Sequence, residues 1–125
     1  MKKLKIGLLL GLVFLQFSCK KTEYVESNPQ LIINVISEYL VPVQGANVTL
    51  YNTEDDLYLK VDPIKTLQTD QTGQVFFEDL EEQRYYFYVE KGGLDNTSDV
   101  AATKNPIQSG QRFEVVVKID EPIDY

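Results

Sequence analysis

The sequence predicts an all-β protein, folded as an antiparallel β-sandwich of six or seven short strands behind a cleavable N-terminal segment. Three observations support this prediction. Apolar residues recur at period 2 in several short runs between residues 30 and 120, which is typical of half-buried strands. Turn residues separate these runs, and the same region shows no helical period. A positively charged and then apolar segment opens the chain.

The first strand signal is apolar on both of its faces. Leu31, Ile33 and Val35 alternate with Ile32, Asn34 and Ile36. A strand of this kind is expected to be covered on both faces or to lie near the centre of the sandwich. The turn residues Pro42 and Gly45 follow. The next run predicts a second strand whose inner face is formed by Ala46, Val48 and Leu50.

An acidic loop and a hairpin are predicted next. The loop, residues 52–63, has no apolar period and carries the carboxylates of Glu54, Asp55, Asp56 and Asp62. Residues 64–69 and 74–78 predict the two arms of a β-hairpin joined by Asp70–Gly73. Asp commonly begins such turns, and Gly accepts the positive φ that closes them. In the second arm, Phe76 is expected on the face opposite Val75 and Phe77.

The strongest strand signal is the aromatic run from Arg84 to Glu90, because aromatic residues favour packed, pleated surfaces. Its inner face is expected to be formed by Tyr85, Phe87 and Val89. Residues 94–109 are weakly patterned, with a short edge strand predicted at Val100–Ala102. The last strand alternates cleanly, and its inner face is formed by Phe113, Val115, Val117 and Ile119.

The N-terminal segment has the layout of a secretory signal. Lys2, Lys3 and Lys5 form its positive region, and an apolar run extends from Ile6 to Leu15. That run is shorter than the roughly 20 apolar residues that a membrane-spanning helix needs. No A-x-A-like site for an ordinary signal peptidase closes it.

The pair Ser18-Cys19 instead resembles the end of the lipobox of bacterial lipoproteins, in which the cysteine is lipidated and becomes the new N-terminus. The resemblance implies a signal peptide at residues 1–18 and acyl chains, palmitate among them, on Cys19. Each buried methylene contributes about 0.8 kcal/mol to membrane binding, so three chains would make release negligible. The expected location is the outer membrane, facing either the periplasm or the exterior.

The remaining boundaries follow from composition. Residues 19–29 are predicted to be the lipidated cysteine and a flexible tether, because the stretch after Cys19 is polar and ends at Pro29. Ten extended residues span at most about 35 Å. Residues 30–120 are predicted to form the sandwich, and residues 121–125 a short tail.

Three motifs follow one another in a characteristic order. They are the run from Pro42 to Tyr51, the run from Thr69 to Phe77 with Leu80, and the aromatic run from Tyr85 to Val89. Their order and spacing resemble the carboxypeptidase-regulatory, prealbumin-like (transthyretin-like) group of β-sandwiches, over about residues 30–120. The resemblance implies a seven-stranded Greek-key sandwich that serves as an accessory or structural module and not as an enzyme.

Composition excludes several kinds of chemistry. The 125-residue chain has one Cys and neither His nor Trp. These counts exclude an internal disulfide, a His-containing catalytic triad and a His/Cys zinc site. The formal net charge of −7 disfavours nucleic acid, whose binding rewards Lys and Arg. Glu81 and Glu82 flank a turn and make a poor catalytic pair. No cofactor, metal or catalytic residue is therefore predicted.

Two surface features remain as candidate sites. Tyr86 and Tyr88 should share one face of their strand, with Phe76 beside them on a neighbouring strand. This aromatic row could stack on sugars or anchor a protein partner, or it could be covered and only stabilise the sheet. The acidic loop could hold Ca²⁺, although a solvated loop is the favoured interpretation.

The sequence thus predicts a lipid-anchored, non-enzymatic β-sandwich module for binding or assembly at the outer membrane or cell surface. Its expected partners are the membrane, through the lipid, and an envelope protein or a glycan. The alternative is a carbohydrate-binding accessory lipoprotein that uses the face of Tyr86 and Tyr88.

Overall fold

The computed structural model describes residues 28–122, and Cys19 and the signal segment lie outside this range. The described residues form seven strands and one short helix. Their bounds are β1 (Gln30–Ile36), β2 (Asn47–Tyr51), α1 (Glu54–Leu59), β3 (Lys65–Gln68), β4 (Gln74–Phe77), β5 (Tyr86–Lys91), β6 (Leu94–Asp95) and β7 (Arg112–Lys118). The predicted predominance of strands is confirmed.

The strands form two sheets. One sheet has three strands in the order β4-β1-β7, and the other has four in the order β3-β2-β5-β6. The position of β1 at the centre of its sheet is as predicted from its two apolar faces. We call the end of the sandwich where β1 begins, at Gln30, the base, and the end where it finishes, at Ile36, the apex.

The core lies between the two sheets and is formed by the predicted inner faces. Alternate residues of the central strands are buried because successive side chains of a strand point to opposite faces. Its largest fully buried side chains include Leu31, Ile33, Leu50, Phe77, Phe87 and Val117. Burying an apolar side chain of this size contributes about 1.5–3 kcal/mol. Leu80 is also buried in this cluster.

The expectation of a wholly antiparallel sandwich is wrong at one position, because β7 pairs with β1 in parallel, with Ile33 opposite Val115. The cause is the long segment 96–111, which carries the chain from the apex back to the base. Its backbone N–H groups at Thr103 and Ile107 donate to the carbonyls of Tyr85 and Gln83 on the way. The chain therefore enters β7 at the base, as it enters β1.

The predicted hairpin is also wrong, because its two arms belong to different sheets. β3 pairs with β2, and β4 pairs with β1. The turn itself forms as expected: Asp70 Oδ1 accepts the N–H groups of Thr72 and Gln74, and Gly73 has φ +80°. The arms separate because β1 and β2 each have an unpaired edge on this side of the sandwich, and one arm satisfies each edge.

The acidic segment 52–63 is not a loop throughout, since it contains the six-residue helix α1. Thr53 caps this helix, because its Oγ1 accepts the N–H of Asp56 at 3.0 Å. Glu54, Asp55 and Asp56 occupy the first turn, where negative charge is favourable. The helix has no buried residue, so it left no apolar period to detect in the sequence.

One buried side chain adds to the backbone bonds that hold the weakly patterned segment on the sheet. Asn96 is buried, and its carboxamide accepts the N–H of Val89 and donates to the carbonyls of Phe87 and Val100. The predicted edge strand at Val100–Ala102 is reduced to an isolated bridge between Ala102 and Tyr86. The short strand that does form there, β6, was not predicted.

No helix within residues 28–122 is long and apolar enough to cross a membrane.

The neighbouring residues Phe76 and Phe77 test the assignment of inner and outer faces. Phe77→Ala should lower the free energy of unfolding by about 3–5 kcal/mol, because it opens a cavity in the core. Phe76 is 44% exposed, so Phe76→Ala should cost about 1 kcal/mol or less. Urea unfolding of the two variants measures the difference, and equal losses would contradict the assignment.

Candidate functional site

The structure keeps two of the three predicted aromatic residues together. Tyr86 and Tyr88 lie on the outer face of the four-stranded sheet, opposite the core residue Phe87, and both are partly buried. Phe76 is on the outer side of β4, in the other sheet. The expectation that Phe76 lies beside the two tyrosines is therefore wrong, because its strand was assigned to the wrong neighbour.

Helix α1 lies over this face, against β2 and β5. Lys60 ends the helix in the left-handed conformation (φ +58°). This geometry directs its side chain back over the sheet, and Lys60 Nζ lies 4.2 Å from the centroid of the Tyr88 ring. A cation at this distance from an aromatic face is attracted by about 0.5–1 kcal/mol at an exposed site. The contact covers one face of the ring.

The hydroxyl of Tyr88 is also engaged. It donates to Asp95 Oδ2 at 3.1 Å, while Asp95 Oδ1 accepts the N–H and the hydroxyl of Thr97. Partial burial, followed by the negative charge of Asp95, raises the pKa of Tyr88 to about 12. The neutral phenol of Tyr88, on β5, is thereby held against Asp95, the last residue of β6.

The ring of Tyr86 has a similar contact with a cation, Arg84, which precedes β5. The Arg84 guanidinium carbon lies 5.3 Å from the centroid of the Tyr86 ring. Arg84 Nε also donates to the Thr103 carbonyl at 3.0 Å, which holds the guanidinium in place. Both tyrosines therefore have a cation over one ring face, and a ligand would reach those faces only by displacing it.

A cleft of about 460 Å³ opens between α1 and the segment after β6. Tyr88 and Ala101 contribute to one wall, and Leu57 and Tyr58 of the helix to another. The Tyr58 side chain is 82% exposed. Aromatic and aliphatic surface beside polar groups suits non-covalent binding of a small ligand with both apolar and hydroxyl surface.

Several carboxylates of the described chain have structural positions. Glu54, Asp55 and Asp56 stabilise the first turn of α1. Glu82 Oε2 accepts the N–H of Ser109 at 2.9 Å, and the backbone N–H of Glu81 donates to the Tyr85 hydroxyl. Within residues 28–122, no three His, Cys, Asp or Glu side chains are grouped as a metal ion would require.

The comparisons with known proteins identify the fold. No protein-family model matches the chain, and no curated protein matches it. Among solved structures, the Bacillus anthracis TIE protein is similar at 16% identity and TM-score 0.55, covering 76% of this chain and 17% of that one. The minor pilin GBS52 of Streptococcus agalactiae is similar at 17% identity and TM-score 0.55, covering 81% and 47%.

A mutant of the shaft pilin SpaA from Lactobacillus rhamnosus GG is also similar, at 17% identity and TM-score 0.53, covering 81% of this chain and 50% of that one. The chain thus spans half or less of the length of these three structures. At such identities the likeness establishes the fold alone. It is consistent with the prealbumin-like sandwich that the sequence motifs predicted.

Sequence reasoning missed the residues that organise the candidate site. No motif contains Lys60, Arg84 or Asp95. Each of them contacts at least one residue that is distant in the sequence. One signal was present: Thr53 precedes the acidic residues of 54–56 with the spacing of a helix N-cap. It would have predicted α1, although not the face on which the helix lies.

The raised pKa of Tyr88 predicts a pH dependence of stability. An ordinary tyrosine loses its proton near pH 10.0, whereas folded Tyr88 keeps it to about 12. Between pH 10.0 and about 12, the unfolded chain binds fewer protons than the folded chain, so the free energy of unfolding should fall as the pH rises. At pH values below this range, the shift adds no pH dependence. Tyr88→Phe should make this fall shallower, as measured by urea unfolding over that range.

Asp95→Asn serves as the second variant. It should bring the pKa of Tyr88 part of the way towards the ordinary value, because burial is the larger cause of the shift. Nuclear magnetic resonance of ring-labelled tyrosine gives the pKa directly. Titration of Tyr88 at the ordinary value in the unmodified chain would contradict the placement of its ring and hydroxyl.

Proposed function

We propose that this chain is a lipid-anchored, non-enzymatic β-sandwich module that mediates binding or assembly at the outer membrane or cell surface. The observation that carries the proposal is the two-sheet sandwich, which is similar to solved structures that include a minor pilin and a shaft pilin. The proposal takes from those proteins only a role in assembly outside the cell. It does not assign their particular partners to this chain.

The way the chain enters the sandwich supports an anchor at one end. Pro29 is buried at the base, and its carbonyl accepts the N–H of Leu80 at 3.3 Å. A tether that ends at Pro29 would therefore join the sandwich at the base, beside the first residue of β1. An acyl group on Cys19 would hold this end towards the bilayer and leave the apex free. The net charge of −7 favours lipid over electrostatic attachment.

The outer face of the four-stranded sheet supports a non-enzymatic role. Three of the groups there that could take part in acid-base chemistry are engaged with each other: Tyr88 donates to Asp95, and Lys60 lies over the Tyr88 ring. Such contacts stabilise the position of a helix on a sheet. They leave the module suited to presenting surfaces for recognition.

Metabolic labelling with palmitate tests the anchor. The wild-type chain should incorporate the label and fractionate with membranes. Cys19→Ala should lose both properties, because no other residue of the chain is a cysteine. Lys20→Ala is the matched control and should be labelled normally. Equal labelling of Cys19→Ala and the wild-type chain would refute lipidation at this residue.

A second candidate function is carbohydrate binding at the cleft beside Tyr88. It is favoured by the exposed ring of Tyr58 at the rim, since an aromatic ring can stack on the apolar face of a sugar. The Lys60 contact weighs against it, because a sugar stacked on that face of Tyr88 must displace the ammonium group.

A glycan array distinguishes the two functions. If the cleft binds sugar, Tyr58→Ala should weaken binding by about tenfold, because losing one stacked ring costs of the order of 1.4 kcal/mol. The side chain is largely exposed, so the fold should be unaffected. Tyr39→Ala, which removes an equally exposed ring at the apex, is the control. If the wild-type chain binds no glycan on the array, carbohydrate binding is excluded for the sugars that the array carries.

A further inference from the structure

The loop at the apex between β1 and β2 exposes three large apolar side chains in succession. Tyr39, Leu40 and Val41 are 79%, 72% and 55% exposed. We call these three residues the apical tip. Single exposed apolar residues are common on protein surfaces, but a contiguous group at the end of a loop is characteristic of an interaction site.

The apical tip is held in one conformation by Ser37. The Ser37 hydroxyl accepts the N–H groups of Tyr39 and Val41, and the Ser37 carbonyl accepts the N–H of Leu40 at 2.9 Å. The Ser37 N–H in turn donates to the Val41 carbonyl at 2.9 Å. These four hydrogen bonds lower the entropy that the loop would lose on binding, so the tip is organised before a partner arrives.

Leu40 has a backbone conformation that costs stability. Its φ is +64°, and the other non-glycine residues with positive φ in the described chain are Lys60, Asp62 and Asp79. Lys60 ends a helix, and Asp tolerates this region through local hydrogen bonds. Leucine has no such compensation, and here it also gains no burial. A strained and exposed apolar residue indicates a role outside folding.

The position and charge of the apical tip indicate its partner. The tip lies at the opposite end of β1 from the tether, so on the proposed lipid-anchored orientation it points away from the bilayer. Glu38 belongs to the loop, and the bond from Ile119 N–H to the Ile36 carbonyl brings Asp120 and Glu121 to the same end. Two lysines also lie at this end: Lys91, whose Nζ donates to the Gln44 carbonyl, and Lys118, which is paired with Ile36. The three carboxylates outnumber the two ammonium groups, so the net negative charge disfavours anionic lipid and a symmetric contact between two copies.

We propose that the apical tip docks into an apolar pocket, rimmed by Lys or Arg, on another protein of the cell envelope. Leu40 enters the pocket, and Tyr39 and Val41 pack against its walls. The carboxylates of Glu38 and Glu121 face the basic rim, which speeds association and excludes acidic surfaces. The inference rests on the proposed function for the direction in which the tip points, and on exposure, strain and charge for the tip itself.

Binding to envelope membranes tests the proposal. The mature chain, residues 19–125, is prepared with Cys19→Ser so that no acyl group contributes. It is titrated onto three surfaces: envelope membranes from the source cells lacking their own copy of the chain, the same membranes after protease treatment, and protein-free vesicles made from their extracted lipids. Leu40→Asn is compared with Leu59→Asn, a leucine at the end of α1 that is 63% exposed.

The expected result is saturable binding to untreated membranes that is lost after protease treatment and absent from the lipid vesicles. Leu40→Asn should weaken this binding by about tenfold or more, and Leu59→Asn should leave it unchanged. Leu40→Asn should keep or raise the melting temperature, because Asn accepts the left-handed conformation more readily than Leu. Leu40→Gly should behave in the same way.

Five outcomes would overturn the proposal. Binding that is independent of Leu40, or no saturable binding, would show that the tip is not a docking site. Leu40-dependent binding to the lipid vesicles would assign the tip to the bilayer. Leu40-dependent self-association in sedimentation experiments would assign it to a second copy. A lower melting temperature of both Leu40→Asn and Leu40→Gly would assign it to folding. Palmitate labelling tests the anchor separately, so the two proposals can fail independently.

Discussion

The burial of β1 between two neighbouring strands and beneath the opposite sheet is the constraint on which the rest of the structure depends. Its inner residues Leu31, Ile33 and Val35 are fully buried, and Ile32 on its outer side is nearly so. A strand this apolar must be covered on both edges and on its inner face. The separation of β3 from β4, and the long return of residues 96–111 that makes β7 parallel, both follow from that requirement.

The outer face of the four-stranded sheet shows how a small domain orders a surface helix without burying it. Helix α1 has no buried residue, so apolar burial alone does not explain its place on the sheet. The Thr53 cap begins it, and the contact of Lys60 with the Tyr88 ring ties its end to β5. On the opposite segment, the side chain of Asn96 bonds to Val89 and Phe87 of β5, beside the backbone bonds that Ala101 and Thr103 make.

The two ends of the sandwich have different characters, and this difference organises the functional proposals. The base is closed by buried Pro29 and Leu80, which is suited to a firm attachment of the tether. The apex instead presents the apical tip, where Leu40 is both exposed and conformationally strained. The exposed and strained residue thus lies at the end of the sandwich opposite Pro29.

The sequence by itself determined the six longer strand-forming segments, their inner faces and the turn residues, because period-2 alternation and the positive φ of Gly45 and Gly73 are local properties of the chain. The partners of Tyr88 were decided only by the tertiary structure. Lys60 and Asp95 reach it from outside its own strand, and no local pattern encodes such contacts. The misplacement of Phe76 has the same origin: alternation gives the face of a residue, whereas strand pairing decides which sheet carries it.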